Sequence, residues 1–480
     1  MKKSVKFVIC CLGLSVVLIA LRLLAMWDTD VPKQPKYIFY FIGDGMSFNH
    51  VLGTEQYNAV KEGKSEVERL NFSQFESRNF VTNYSASHLV TDSAAAGTAL
   101  ATGHKTANTY IGVDENGNDL RSIANVASEQ GYMVGLVTNV GINHATPSAF
   151  YGHTSNRFGF PKLVTDYIKS DVVFIAGSTI MDVKSGPKES IEEFATTEEL
   201  AERIRNAGIL LTLDVDEAAK AEGKRVALVA NDKENKHVPY VLDRKGGEVH
   251  TLINHTKAAI EYLSREAEKG FFLMVEGGKL DYAAHEQDAV TTFHEVNEFA
   301  AAVDLALAFA SQHPDETLII VTADHETGGM SLGWDDYEIR MNMLVNQKAS
   351  AIEMTKTIQQ MRAEGKRNWN DYKQVLSDGF GLWSLVPVSK EDEALLKHDF
   401  YDIFLKHGPM VDGLYNKSEF LVYHAIRILN RAASIDWTSL YHTGMYTPIY
   451  TKGVGETAFL DCRDQTDIPK TIASLMGGQL

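Results

Sequence analysis

Short apolar runs alternate with longer amphipathic stretches along most of the chain. Six runs of four to six residues are rich in Val, Ile and Phe, and they occupy positions 37–42, 133–137, 172–176, 226–230, 271–275 and 318–321. Three longer stretches, at 121–130, 254–269 and 288–312, have helical periodicity. Short buried runs separated by helices are typical of parallel strands that are covered on both faces. The pattern therefore predicts an α/β fold of three αβα layers around a central, mostly parallel sheet.

The N-terminus has a different pattern from the rest of the chain. Three lysines within the first six residues precede an apolar run at 7–21, which Arg22 interrupts and which resumes through residue 27. This is typical of an export signal. The run is short for a membrane span, but the stretch 7–27 can just span if Arg22 snorkels to the interface. We expect residues 1–27 to be a signal peptide or an N-terminal membrane anchor. The body, 28–480, is then extracytoplasmic and periplasmic, either released or anchored.

The acidic composition of the chain excludes one class of binding partner. The chain has 63 acidic and 46 basic residues, a net charge of −17, so we expect no binding to nucleic-acid backbones. An acidic protein can still bind phosphate where metal ions reverse the local field. Once residues 1–27 are removed, Cys462 is the one cysteine left, so no intrachain disulfide can form.

One stretch, VTDSAAAGTALATG at 90–103, places a hydroxyl where a helix is predicted to begin. The alanines after Ser93 favour a helix, and a side chain in its first turn faces unpaired N–H groups and the positive end of the dipole. Such a position binds anions. Taken alone, Ser93 is more typical of a helix cap.

Carboxylates follow three of the predicted strands. Asp44 comes after the run at 37–42, Glu276 directly after 271–275, and Asp324 shortly after 318–321. In open α/β sheets ligands bind outside the carboxyl ends of the strands, so these side chains are predicted to converge. A single Asp after a strand is often only a turn residue. Several carboxylates together repel one another unless cations neutralise them.

Histidines near these carboxylates suggest which cations could bind. His325 follows Asp324 directly, and Asp281 and His285 are four residues apart, which places them on one face of a helix. His with Asp suits Zn²⁺, whereas carboxylate and hydroxyl oxygens suit Mg²⁺. Each pair alone is also typical of an ordinary surface helix or loop.

Six motifs together resemble the alkaline phosphatases in their order and surroundings. They are IGDGMS at 42–47, VTDSAAAGTALATG at 90–103, HATPSAFYGHTSNR at 144–157, VEGGKLDYAAH at 275–285, TADHETGG at 322–329 and HTG at 442–444. The resemblance extends from residue 37 to residue 455. It implies an extracytoplasmic, metal-dependent phosphate-monoester hydrolase that releases inorganic phosphate, and it also implies a homodimer.

The resemblance implies a role for each matching residue. Ser93 resembles the nucleophile that forms a covalent phosphoserine, and Arg157 resembles the guanidinium that holds two phosphate oxygens. Two zinc ions and one magnesium ion are implied. The implied ligands are Asp44, Asp324 and His325 for the first zinc, Asp281, His285 and His442 for the second, and Asp44, Thr146 and Glu276 for magnesium.

Two positions depart from the family pattern. Tyr282 follows Asp281 where many bacterial members have Lys and animal members have His, and His144 stands where some bacterial members have Asp. We expect both side chains to lie just outside the metal ligands, with His144 contributing to the magnesium site through water. Both bear on phosphate affinity, metal preference and pH optimum but not on the reaction class. His153, the histidine nearest Arg157 in sequence, is a further candidate for a position just outside the metal ligands.

The motifs also imply an inserted segment. His325 and His442 are 442 − 325 = 117 positions apart, which is long for a simple connection. The sequence at 341–362 and 391–433 has helix-like periodicity. We predict a mainly helical insert at 340–435 within the catalytic domain 28–480, where it shapes substrate access.

Two alternative functions remain open from the sequence. The first is a phosphodiesterase on the same scaffold, although Ser93 with Arg157 favours monoesters because a diester lacks a second terminal charge. The second is a catalytically silent surface protein that binds metal or phosphate, although every expected metal ligand is present. A sulfatase is disfavoured because the body has no cysteine before Cys462.

Overall fold

The computed structural model describes residues 34–185, 193–335, 337–405, 410–412 and 417–480, so the predicted leader or anchor at 1–27 lies outside the described residues. In the described part of the chain, no helix combines the length and the apolar character that a bilayer crossing requires. The strands are β1 (Tyr37–Gly43), β2 (Ser77–Val81), β3 (Met133–Thr138), β4 (Val172–Thr179), β5 (Leu210–Thr212), β6 (Val226–Asn231), β7 (Phe271–Gly277), β8 (Thr317–Ala323), β9 (Glu326–Thr327), β10 (Met330–Leu332), β11 (Met410–Asp412), β12 (Lys417–Glu419), β13 (Ile435–Trp437), β14 (His442–Thr443) and β15 (Thr447–Gly453). The α-helices are α1 (Phe48–Lys61), α2 (Ser93–Thr102), α3 (Ile123–Glu129), α4 (Ala145–Ser148), α5 (Phe160–Lys169), α6 (Thr197–Asn206), α7 (Val215–Lys220), α8 (Leu252–Glu266), α9 (Lys279–His285), α10 (Ala289–Gln312), α11 (Ala351–Ala363), α12 (Trp369–Phe380), α13 (Lys390–Leu405), α14 (Phe420–Ala432) and α15 (Asp467–Leu475).

Nine strands form the central sheet, in the order β2-β15-β8-β1-β7-β3-β4-β6-β5. Within this sheet β15 alone runs in the opposite direction to the other strands, and it lies between β2 and β8. The prediction of a mostly parallel sheet flanked by helices is confirmed. All six apolar runs form strands of this sheet, whereas β2, β5 and β15 are short or carry polar residues and were not predicted.

The middle of the sheet is buried on both faces, as β1 shows. Ile38 and Tyr40 belong to a core cluster that includes side chains from α2, α3, α5 and α15. Phe39 and Phe41 belong to the opposite cluster, with side chains from α7, α8 and α10. Successive side chains of a strand point to opposite faces, and full burial of each is worth about 1.5–3 kcal/mol. A continuous apolar run is therefore what a strand covered on both faces requires.

The register of the sheet brings the acidic residues together. Ile42, near the end of β1, pairs with Glu276 on β7 and with Thr322 on β8. Asp44 and Asp324 therefore follow neighbouring strands at the same edge of the sheet at which Glu276 lies, one residue before the end of β7. The predicted convergence at the carboxyl edge follows from this register.

Helices α11 to α14 and the short antiparallel pair β11–β12 occupy the segment between β10 and β13. Their apolar side chains form a separate core cluster that includes Ile358, Tyr372 and Leu376. Tyr57 of α1 and Phe293 of α10 belong to the same cluster. The helical segment is thus packed directly against two helices of the central fold.

Candidate active site

Ser93 is the first residue of α2, and its side chain is fully buried. Asp92 caps the helix, because its Oδ1 accepts a hydrogen bond from the N–H of Ala95 at 3.0 Å. The Ser93 hydroxyl lies 3.2 Å from His325 Nε2. Gly97 lets the helix approach α4 closely, since a Cβ there would lie 3.2 Å from the Thr146 Cα. The small residues that follow Ser93 therefore seat its hydroxyl at the edge of the sheet.

The Asp92 carboxylate also positions Arg157. Its Oδ2 accepts hydrogen bonds from Arg157 Nη1 at 2.9 Å and from the N–H of Thr109 at 3.1 Å. The other terminal nitrogen of Arg157, Nη2, lies 3.5 Å from His144 Nε2. A guanidinium is planar and binds phosphate through two parallel donors. Arg157 is thus held next to Ser93 in a position suited to an anion.

Three groups of side chains bring potential metal-ligand atoms within 4.8 Å of one another: Asp281, His285 and His442; Asp44, Asp281 and His325; and Asp44, His144 and Glu276. The first group is the set predicted for the second zinc. In the second group Asp281 takes the place predicted for Asp324, although Asp324 Oδ2 lies only 3.2 Å from His325 Nε2. In the third, His144 joins Asp44 and Glu276; Thr146, the third ligand predicted for magnesium, is close enough to Glu276 to oppose the rise of its pKa. The structure thus gathers the predicted acidic and imidazole ligands into one region.

The imidazole nitrogens face one another and the carboxylates at short range. His285 Nε2 lies 3.1 Å from His442 Nε2 and 3.3 Å from Asp281 Oδ2. On the other side of each ring, His285 Nδ1 lies 2.5 Å from the Leu440 carbonyl and His442 Nδ1 lies 2.9 Å from the Thr91 carbonyl. Because a carbonyl only accepts, each Nδ1 carries a proton, so Nε2 is the nitrogen of each ring that can give its lone pair to a cation.

The carboxylates of the cluster fit a bound cation. Both oxygens of Asp44, Oδ2 of Asp281 and Oδ2 of Asp324 are buried and accept no hydrogen bond from the part of the chain that the structure describes. Burial of an unpaired carboxylate is costly, and the group then takes up a proton or binds a cation. The mixed nitrogen and oxygen donors suit zinc, whereas the oxygens of Asp44 and Glu276 suit magnesium.

The pKa values reflect the same crowding. Burial, reinforced by the neighbouring carboxylates, raises the pKa of Asp44 well above its usual value. Burial also raises the pKa of Asp324 to about 8 and that of Glu276 to about 7. Asp281 is the exception, since His285 and the other facing imidazoles lower its pKa despite burial. Without a cation, the carboxyl groups cannot all be ionised together at neutral pH.

Of the remaining predicted residues, Thr146 and Tyr282 lie near the cluster, whereas His153 does not. Thr146 is buried on α4, and the Tyr282 ring centroid lies 6.0 Å from that of His144. The structure places His153 apart from these two, with its Nε2 3.1 Å from the Leu120 carbonyl oxygen.

Sequence reasoning missed two residues that support the cluster. Thr327 Oγ1 donates a hydrogen bond to Asp281 Oδ1 and lies 3.3 Å from His325 Nδ1. Thr138 Oγ1 donates to Glu276 Oε2 at 2.5 Å. Thr138 ends β3, so its place at the carboxyl edge of a predicted strand is a signal that could have identified it.

A sequence profile described as Alkaline phosphatase matches residues 35–477. The chain belongs to the alkaline phosphatase family. Alkaline phosphatase 4 of Bacillus subtilis (strain 168) is 31% identical over 445 residues, a match that covers 92% of this chain and 88% of that protein. Membership of the alkaline phosphatases makes the chain an enzyme, a hydrolase with phosphatase activity.

Solved structures of alkaline phosphatases share the architecture. The cold-active alkaline phosphatase from a Shewanella species superposes with a TM-score of 0.75 at 26% identity, over 92% of this chain and 99% of that chain. The alkaline phosphatase of Thermus thermophilus shares the fold, with a TM-score of 0.72 at 22% identity, over 93% of this chain and 92% of that chain. The αβα architecture is thus the alkaline phosphatase fold.

Proposed function

We propose that this alkaline phosphatase hydrolyses phosphate monoesters through a covalent phosphoserine on Ser93 and releases inorganic phosphate. The observation that carries the proposal is the position of the Ser93 hydroxyl at the start of α2, 3.2 Å from His325 Nε2 and beside the cluster of Asp and His side chains. Hydrolysis of a monoester is among the slowest uncatalysed reactions, so a serine needs strong electrostatic support to attack it.

Two zinc ions and one magnesium ion are part of the proposal. The two sets that contain histidine, Asp281 with His285 and His442 and Asp44 with Asp324 and His325, would hold zinc. Asp44, Glu276 and Thr146 would hold magnesium, with His144 beside them. When bound, these ions supply concentrated positive charge to the attacking, leaving and terminal oxygens of the phosphoryl group.

The reaction has two displacements at phosphorus. In the first, a bond forms between Ser93 Oγ and phosphorus as the bond to the ester oxygen breaks, and the alcohol leaves with a proton. In the second, a water oxygen bonds to phosphorus as the bond to Ser93 Oγ breaks, which restores the serine and yields inorganic phosphate. Arg157, held by Asp92, binds terminal phosphoryl oxygens during both displacements.

Arg157 also favours monoesters over diesters. The terminal phosphoryl group of a monoester offers two charged oxygens to the guanidinium, whereas a diester replaces one of them with an ester oxygen. We therefore expect a higher kcat/KM for an aryl phosphate than for the diester of the same alcohol. A strong diester preference would support the phosphodiesterase alternative instead.

Hydrolysis of an aryl phosphate by the metal-loaded enzyme at alkaline pH tests the proposal. We expect a chelator to abolish activity and Ser93→Ala to reduce kcat by roughly three orders of magnitude or more. Ser264→Ala, which removes an exposed hydroxyl from α8, serves as the matched control and is expected to retain activity. Full activity in Ser93→Ala would exclude the serine mechanism, and no activity in the metal-loaded parent would favour the diesterase or the silent binding protein.

We also propose that the enzyme is a homodimer. A groove of mixed lining supports this proposal. Exposed Phe48, Leu52 and Phe80 line it together with Arg69 and Arg78, and Tyr446 packs against Phe80 with ring centroids 5.2 Å apart. Such a group of exposed apolar side chains is typical of a protein interface. Phe80→Glu should shift the molar mass measured by light scattering to that of a monomer, whereas the control Leu213→Glu should not.

The location outside the cytoplasm remains a proposal that rests on residues 1–27. The lysines and the apolar run at 7–21 support export, with membrane anchoring through 7–27 if the leader is retained. Mass spectrometry of the protein recovered from membrane and soluble fractions distinguishes the two forms.

A further inference from the structure

A cavity of ≈ 590 Å³ lies beside the candidate active site, with Tyr282 in its wall. The Tyr282 ring also faces His144, whose Nε2 lies 3.5 Å from Arg157 Nη2. The cavity is therefore separated from the phosphate-binding guanidinium by only two side chains. Its volume is within the range of small-molecule sites, roughly 300–1,000 Å³.

More basic than acidic side chains line this cavity, whereas the protein as a whole is acidic. Lys184, Lys236, Lys279 and Lys356 line it, against Asp243 and Glu353 as the acidic residues. The chain as a whole carries a net charge of −17. These lysines come from four separate parts of the chain: the turn after β4, the loop after β6, α9 and α11. The fold thus concentrates cationic groups at this position.

The acidic groups near the cavity do not block an incoming anion. Asp243 is engaged by Ser350, which donates from its N–H at 2.8 Å and from its hydroxyl at 2.6 Å. Lys356 pairs with Glu353 at 3.3 Å, and Lys236 pairs with Glu234, but all four side chains are largely exposed. Exposed ion pairs contribute little and exchange readily, so both lysines can turn to a ligand.

The fourth lysine, Lys279, forms part of the cavity floor. It is buried, donates a hydrogen bond to the Val238 carbonyl, and lies with its Nζ 4.2 Å from the centroid of the Tyr240 ring. Lys279 therefore adds a basic side chain to the buried part of the lining.

We propose that this lysine-lined cavity binds a second anionic group, a carboxylate or a phosphate, carried by the alcohol part of the monoester substrate. The inference deepens the proposed function and rests on it. Arg157 holds the phosphoryl group that is cleaved, Tyr282 lies between the two sites, and Lys236 and Lys356 contact the distal anion. The preferred substrates are then phosphate monoesters whose alcohol is several bonds long and ends in a negative charge.

The test compares two six-carbon monoesters: 6-phosphogluconate, an open chain that ends in a carboxylate, and glucose 6-phosphate, a ring with no distal charge. In the parent enzyme, kcat/KM is expected to be higher for 6-phosphogluconate. The double variant Lys236→Gln/Lys356→Gln should lower that preference by about fivefold to tenfold, mainly through KM. Its activity on glucose 6-phosphate should be unchanged, because neither lysine touches the cleaved phosphoryl group.

The matched control is Lys220→Gln/Lys257→Gln. It removes the same charge from exposed positions on α7 and α8, outside the cavity lining. It should preserve the substrate preference. An equal fall in both double variants would show a long-range field rather than a site, and would overturn the inference.

Failure of the distal-anion site and failure of the phosphatase reaction give different results. If the parent hydrolyses glucose 6-phosphate but shows no carboxylate preference that depends on Lys236 and Lys356, the inference fails while the proposed function stands. If the parent hydrolyses neither monoester, the proposed function itself fails. Sulfate that alters glucose 6-phosphate hydrolysis in the parent but not in the variant would assign the cavity to a free anion and overturn the substrate role.

Discussion

At the scale of single residues, Asp92 links the nucleophile to the phosphate-binding group. One of its oxygens caps α2 beneath Ser93, and the other holds Arg157. The position of Ser93 could be predicted because its cues are local: a helix start and small neighbours. The contact between Asp92 and Arg157 joins residues 65 positions apart, so nothing in the local pattern indicates it.

Two substitutions separate the roles of Asp92. Asp92→Ala removes the cap and the partner of Arg157, so it should lower the free energy of unfolding by about 1 kcal/mol. It should also raise the Ki for inorganic phosphate several-fold. Asp92→Asn keeps an acceptor for the cap but loses the charge opposite Arg157. It should therefore raise Ki with little loss of stability. Chemical denaturation and product inhibition measure the two effects, and a large stability loss in Asp92→Asn would contradict this division.

For the metal ligands, too, the sequence predicted positions but not the contacts that support them. The carboxylates that follow strands were predictable because the carboxyl ends of parallel strands meet at one edge. The hydrogen bond from Thr327 to Asp281 could not be predicted, because it depends on how the turn after β8 packs on α9. His153 illustrates the converse, because its nearness to Arg157 in sequence did not bring it into the cluster.

At the scale of elements, Asp288 joins the helical segment between β10 and β13 to the central fold. It caps α10 by accepting from the N–H of Thr291 at 3.1 Å. The same carboxylate accepts from Gln347 Nε2 at 2.8 Å and from the N–H of Ala351, the first residue of α11, at 2.9 Å. Apolar periodicity predicted the helices on both sides of Asp288. The periodicity could not predict the hydrogen bonds that Asp288 accepts from the second helix, because a capping Asp gives no indication of a second partner.

Loss of the hydrogen bonds that Asp288 accepts should destabilise the protein more than loss of an ordinary helix cap. Asp288 is fully buried, so Asp288→Ala leaves several buried donors without an acceptor and should cost about 3 kcal/mol. Asp214 is an exposed cap that accepts from the N–H groups of Asp216 and Glu217. Asp214→Ala, the control, should cost about 1 kcal/mol. Equal losses in urea unfolding would show that Asp288 acts only as a cap.

At the scale of the whole molecule, burial of neutral histidines makes stability depend on pH. His255 on α8 is buried, and burial lowers its pKa from the usual 6.5 to about 3. The unfolded chain therefore binds a proton near pH 6.5, whereas the folded chain does so only near pH 3. The stability linked to the neutral imidazole is fully present above pH 6.5 and is lost as the pH falls, by at most about 1.4 kcal/mol per pH unit.

This dependence can be measured on the metal-free protein by urea unfolding between pH 7 and pH 5. His255→Gln should reduce the loss of stability over that interval. His398→Gln, which removes an exposed histidine, should behave like the parent. If His255→Gln and the parent lose stability equally, His255 does not contribute to the acid sensitivity.

The sequence predicted the overall architecture better than its details. The central strands were recognisable because strands buried on both faces are continuous apolar runs. The outer strands β2, β5 and β15 were not, because an edge or near-edge strand needs fewer apolar residues. The lysine-lined cavity could not be predicted either, since its four lysines come from four separate parts of the chain.

The phosphoserine is the central claim, and mass spectrometry of the acid-quenched enzyme tests it most directly. The metal-loaded protein is mixed with an excess of an aryl phosphate, quenched during turnover and digested. We predict that the peptide containing Ser93 gains the mass of one phosphoryl group, that the gain is absent in Ser93→Ala, and that it disappears once substrate is exhausted and phosphate is removed. A phosphoryl group found on another residue during turnover, or turnover at the full rate in Ser93→Ala, would contradict the account.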